Sequence, residues 1–197
     1  MERKISANAG RKFGTRQIAI IGMLSSISIF LGLTGLGFIP LPMVKATILH
    51  VPVIIGAIIE GPIVGAMIGL IFGVFSMYQA VVTPTPTSFL FLNPLVAVLP
   101  RVLIGIGTYY VYKAIPMKKE NIKIGFAGAI GSLINTFGVL TMIYVLYAAR
   151  FAKAIGIDPS LSGKVIYGLA LTNGLPEAAV SMVIVVSVVT AVKKIRR

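Results

Sequence analysis

Val82-Thr-Pro-Thr-Pro-Thr-Ser-Phe-Leu-Phe-Leu-Asn-Pro94 joins two long apolar runs, and the second of them carries Arg101. Each proline removes a backbone donor and pushes its predecessor into an extended state, so an arriving helix cannot continue through this stretch. At membrane depth, non-helical backbone survives only beside water or buried in protein. Residues 82–93 therefore read as a structured loop at the mouth of a cavity, with Arg101 lower in the same wall.

The rest of the chain reads as a membrane protein. Of its 197 residues, 57% are hydrophobic and only 12% are charged, which lies outside the soluble range. Its apolar runs approach the roughly 20 helical residues that cross a hydrocarbon core of about 30 Å. The chain has no cysteine and one histidine, His50, which excludes disulfides, thiolate sites and histidine-based metal clusters. The net charge of +13 gathers at Arg3 to Arg16, Lys113 to Lys123 and Lys193 to Arg197. Those positions flank spans, where basic residues set topology; nucleic-acid binding would need a basic soluble face instead. The first apolar run is too long for a cleavable signal peptide and lacks a small-residue cleavage pattern.

The expected fold is an all-α integral membrane protein of six transmembrane helices with both termini cytoplasmic. A basic cytoplasmic tail covers 1–16, and a single six-helix substrate-binding domain covers 17–197. The spans fall at about 17–36, 47–59, 63–81, 94–112, 124–149 and 165–192, leaving outer loops at 37–46, 82–93 and 150–164. The second is too short to cross upright. In the third, Gly65, Gly69 and Gly73 recur every fourth residue, a pattern of close helix contact.

Polar side chains inside spans are costly and point at a cavity or a partner. Arg101, Asn135, Asn173 and Glu177 qualify, Asn173 and Glu177 sharing a face by their spacing of four. Asn93 starts the fourth span, Tyr78 and Gln79 end the third, and Lys45 closes the first outer loop. Together they read as an outward-facing polar pocket for a small ligand. The alternative is structural: a buried Arg101–Glu177 ion pair, with asparagines bonding between helices. His50 reads as packing, and Tyr144 and Tyr147 read as interface anchors. Gly163-Lys164 is followed by valine, so no P-loop is present, and one histidine leaves no catalytic triad. A membrane enzyme is disfavoured, and no cofactor is implied.

Thr47-Ile-Leu-His-Val-Pro-Val-Ile-Ile-Gly-Ala-Ile-Ile-Glu-Gly-Pro-Ile-Val-Gly-Ala66, Thr87-Ser-Phe-Leu-Phe-Leu-Asn-Pro-Leu95, Leu99-Pro-Arg-Val-Leu-Ile-Gly105 and Asn173-Gly-Leu-Pro-Glu-Ala178 together resemble the substrate-binding S components of energy-coupling factor transporters. The resemblance covers nearly all of the chain from Gln17, and the last segments look like the pantothenate branch. It implies a protein of a prokaryotic plasma membrane that captures a vitamin under a lid of outer loops. A transmembrane coupling subunit and two ATPases on other chains would then drive release. Arg101 or Lys45 would serve a carboxylate, and Asn93, Asn135, Asn173 and Glu177 the hydroxyls and amide. Family members dock through an Ala-x-x-x-Ala stripe in the first helix; here Met23 breaks it, leaving Ala19, Gly22 and Ser26 as the small residues. Riboflavin is the competing vitamin, with Tyr78, Phe89 and Phe91 as stacking surfaces. A stand-alone secondary transporter, or a structural membrane protein, would be a different class.

Overall fold

The computed structural model describes residues 13–40 and 45–196, with the side chains of 39, 40, 45 and 46 excepted. The N-terminal tail to Lys12 and the tip of the first outer loop lie outside the described residues. The helices are α1 Thr15–Thr34, α2 Val51–Glu60, α3 Pro62–Val82, α4 Pro94–Ala97, α5 Leu99–Ala114, α6 Glu120–Ala154 and α7 Ser162–Ile195. Five spans are long and apolar enough to cross a membrane: α1, α3, α4 with α5, α6, and α7 with the turn before it. The second expected span, 47–59, is instead the ten-residue α2, about 15 Å long, or roughly half a hydrocarbon core. The reason lies upstream. Phe38–Pro40 and Lys45–Thr47 pair as an antiparallel ribbon, β1 with β2, so Thr47 is strand and the helix starts only at Val51.

α2 is apolar on every side, and Val51 to Ile58 are all buried, as expected for a helix wrapped by protein. Its start is anchored by His50, which is fully buried and whose Nε2 lies 3.0 Å from both Ser132 Oγ on α6 and Ser181 Oγ on α7. Gly61, at φ 101°, supplies the left-handed turn into Pro62 at the start of α3.

The glycine stripe of α3 packs on α5. A Cβ at Gly69 would sit 2.2 Å from the Arg101 carbonyl oxygen, and one at Gly73 would sit 2.7 Å from Val98 Cα. Gly105 answers from α5, where a Cβ would meet Gly65 at 2.2 Å. Backbone therefore touches backbone along this seam, and the seam sets the height of Arg101.

One end of the molecule is polar. Glu60 takes Arg16 at 3.0 Å and Arg196 at 2.7 Å, so the described starts and ends of the chain meet at the α2–α3 junction. Nearby in sequence terms, Lys193 Nζ donates to Glu120 at 2.5 Å and to Tyr112 Oη at 2.7 Å, and Tyr112 donates to Glu120. α6 and α7 are flush there. α7, at 34 residues, runs to about 50 Å, and α6, at 35 residues, bends at Tyr147. Both are longer than the 20- and 21-residue spans α1 and α3 and extend past them at the opposite end. That projecting end supports the loop after α3. Leu90, Val96, Val139, Ile143, Phe151 and Ile166 form an apolar cluster there, separate from the core around α2.

Candidate functional site

A cavity of about 350 Å³ lies between the β1–β2 ribbon, the upper half of α3, the loop from Thr83 to Phe91, the start of α5 and the middle of α6. That volume suits a small-molecule ligand. α3 contributes Phe72, Ser76, Gln79 and Thr83, spaced by four, three and four, which puts them on one helix face. The ribbon adds Phe38 and Thr47.

The loop is folded by its own hydroxyls. Thr85 N–H donates to Ser88 Oγ at 2.8 Å, and Ser88 N–H donates to the Thr85 carbonyl at 3.0 Å. The chain then turns through a 3-10 helix at Ser88–Leu92, which buries Leu90 and leaves Thr85, Ser88 and Phe91 on the cavity wall. Asn93 ends the loop. Its Oδ1 accepts from Leu95 N–H at 2.9 Å, and Pro94 occupies the first turn, a strong N-terminal signal for a helix.

Arg101 supplies the charge. It is 7% exposed, donates from Nη1 to the Val96 carbonyl at 2.7 Å, and leaves Nε without a partner. Its Cζ lies 5.5 Å from the Phe72 ring centroid and 5.4 Å from that of Phe91, contacts that favour a cation. It makes no ion pair among the described residues. The Arg101–Glu177 pair weighed from sequence is thus absent. Glu177 is occupied elsewhere: Oε1 accepts from Thr47 N–H at 2.9 Å and Oε2 from Thr136 Oγ1 at 3.0 Å. It braces the ribbon from behind and does not line the cavity.

Of the residues singled out from sequence, Gln79, Arg101 and Asn135 come together on the cavity wall. Gln79 Nε2 donates to the Gly32 carbonyl at 3.2 Å, tying α3 to α1, and Asn135 Oδ1 has no partner. Asn93 lies outside the cavity and bonds Tyr147. Asn173 lies outside it on α7, where its Oδ1 accepts from Thr172 Oγ1 at 3.4 Å. Tyr78 is 58% exposed on the outer face of α3. The Lys45 side chain is outside the described residues. Sequence reading missed the hydroxyl wall, because serine and threonine are unremarkable in a helix; the one-face spacing from Phe72 to Thr83, continuing beside the glycine stripe, is the signal that could have found it.

A cavity with a guanidinium in no ion pair among the described residues, an orphaned amide oxygen and several hydroxyls, carried by a bundle of apolar spans, has the shape and polar lining of a small-molecule pocket in a membrane protein. The chain belongs to the family of ECF transporter substrate-specific components, whose model matches residues 16–189. It is 34% identical over 171 residues to the pantothenic acid transporter PanT of Lactococcus lactis subsp. cremoris, covering 80% of this chain and 82% of that one. It is 31% identical over 163 residues to the pantothenate transporter PanT of Leuconostoc mesenteroides, covering 78% and 79%. The protein is therefore a vitamin-uptake S component, a multi-pass protein of a prokaryotic plasma membrane and not an enzyme.

Proposed function

We propose that this chain captures pantothenate from outside the cell and passes it to a transmembrane coupling subunit with two ATPase subunits. The observation that carries the reading is Arg101, buried in the cavity wall with no carboxylate to neutralise it. A ligand carboxylate would supply that counter-charge, and a planar guanidinium suits it. The hydroxyls and amide of the ligand would meet Asn135, Gln79, Ser76 and Ser88. The relatives named for pantothenate support the same ligand. A flavin is less well served: Phe91 packs on Arg101, Phe89 packs on Tyr147, and Tyr78 faces outward. Glu177, Asn93 and Asn173 lie outside the cavity lining and do not meet the ligand in this proposal.

Ala19, Gly22 and Ser26 all lie on the exposed face of α1, and a Cβ at Gly22 would meet nothing within 4 Å. That face is where the coupling subunit would dock. The purified chain should bind one pantothenate, and panthenol, which lacks the carboxylate, should bind at least about 100-fold more weakly, as for a lost partner of a buried charge. Equal affinity for the two would sink the carboxylate assignment. Gly22→Leu should leave binding intact and stop cellular uptake.

The end carrying Glu60, Glu120 and both described chain ends would face the cytoplasm, because it also holds Lys113, Lys118, Lys119 and Lys123. The chain has no cysteine, so single cysteines can report this directly. Lys118→Cys should react with a membrane-impermeant thiol reagent only from inside, and Ser160→Cys only from outside; the reverse pattern would invert the topology.

A further inference from the structure

The roof of the cavity is fastened at a point outside it. α6 is helical over 35 residues except at Tyr147, where φ −140° and ψ 17° break the run. At that break the Tyr147 hydroxyl accepts from Asn93 Nδ2 at 3.0 Å. The Tyr147 ring also meets Phe89 edge-on, with centroids 6.0 Å apart, and the Arg150 guanidinium lies 4.8 Å over the Phe89 ring. Phe89 lies within the short helical turn Ser88–Leu92 and Asn93 directly follows it, and Phe91 and Ser88 of the same turn face the cavity. The kinked turn of α6 therefore holds the roof segment at two points, Asn93 through a polar bond and Phe89 through an aromatic contact.

We infer that Asn93 and Tyr147 form a clasp that holds the roof over bound ligand, which makes Tyr147 a positioning residue for retention rather than a membrane-interface anchor. This rests on the ligand reading above for its effect on binding, while the clasp itself is a set of contacts within the protein. Asn93 has two separable jobs, because Oδ1 caps α4 and only Nδ2 reaches the phenol. Asp at this position would keep the cap, and its second oxygen would accept from the Tyr147 O–H, so the clasp would survive with its donor reversed.

Hydrogen–deuterium exchange on the ligand-free protein, paired with radiolabelled pantothenate dissociation, tests this. Tyr147→Phe removes only the hydroxyl. It should speed amide exchange in residues 85–92 and pantothenate dissociation by about fivefold each, the scale of one lost hydrogen bond. The association rate should stay within about twofold of wild type, since the clasp acts on retention. Asn93→Asp should stay near wild type in both readouts, and Asn93→Ala should not.

Unchanged exchange in 85–92, or acceleration spread evenly through α6 and α7, would overturn the clasp whatever the ligand. Faster exchange with unchanged dissociation would overturn its role in retention. If the wild type fails to bind pantothenate, the ligand reading falls, and the exchange result alone still decides the clasp.

Discussion

Arg101→Ala is expected to abolish measurable pantothenate binding while the protein still inserts and remains monodisperse. Removing one partner of a buried, hydrogen-bonded charge pair costs about 2–5 kcal/mol, or roughly 30- to several-thousand-fold in affinity. The upper part of that range applies here. The guanidinium is buried, its Nε is unpartnered, and no protein carboxylate stands ready to take a ligand's place. Arg101→Lys should recover only part of the loss, because a point charge cannot reproduce a planar fork. Isothermal titration in detergent decides it, with the melting midpoint of the empty protein as control. Arg101 also holds the Val96 carbonyl at 2.7 Å, so a purely structural arginine would show a lowered midpoint with affinity preserved in the folded fraction. Unchanged affinity would remove Arg101 from the site.

Gly69→Ala is expected to lower the melting midpoint by about 5–10 °C and to weaken binding with it. A Cβ there would stand 2.2 Å from the Arg101 carbonyl oxygen and 2.7 Å from its carbonyl carbon. Those atoms are backbone, so no side chain can swing aside. α3 and α5 must move apart, and overpacking of this kind costs about 1–3 kcal/mol, which for a chain of this length corresponds to a shift of several degrees. The movement carries Arg101 away from Phe72 and Gln79, which lie on α3 itself. Gly22→Ala is the matched control, with open space at its Cβ, and it should leave the midpoint within about 1 °C. A Gly69→Ala protein as stable as wild type would mean that the seam is looser than these distances state.

Much of the architecture was legible before any coordinates. The ends of α3 and of the α4–α5 span fall within two residues of the apolar runs read from the chain, because proline and glycine stop helices for local reasons. The α3 glycine stripe was readable as a contact face, since its spacing of four is a property of any helix. α2 was recognisably too short to cross, yet the ribbon that shortens it was not. The ribbon of Phe38–Pro40 and Lys45–Thr47 is held at Thr47, whose N–H is accepted by Glu177, 130 residues away.

The site divides the same way. Arg101, Gln79 and Asn135 were conspicuous because a polar group in an apolar span needs a reason to be there. Their partners were not. Glu177 looked equally conspicuous and equally able to face a ligand, and Asn93 sat close to Arg101 along the same span. Only packing sends Glu177 to Thr47 and Thr136, and Asn93 to the phenol of Tyr147.

The amino-acid sequence by itself determined the membrane class, the boundaries of α3 and of the α4–α5 span, the glycine seam and the few residues too polar for their setting. All of these follow from local chemistry and helical spacing. Tertiary structure alone decided which polar groups satisfy one another and which one is left unpaired. Hydrogen-bond partners are assigned by distances between chain segments far apart in sequence, and Arg101 becomes the open charge of the cavity because every described carboxylate is engaged or placed elsewhere.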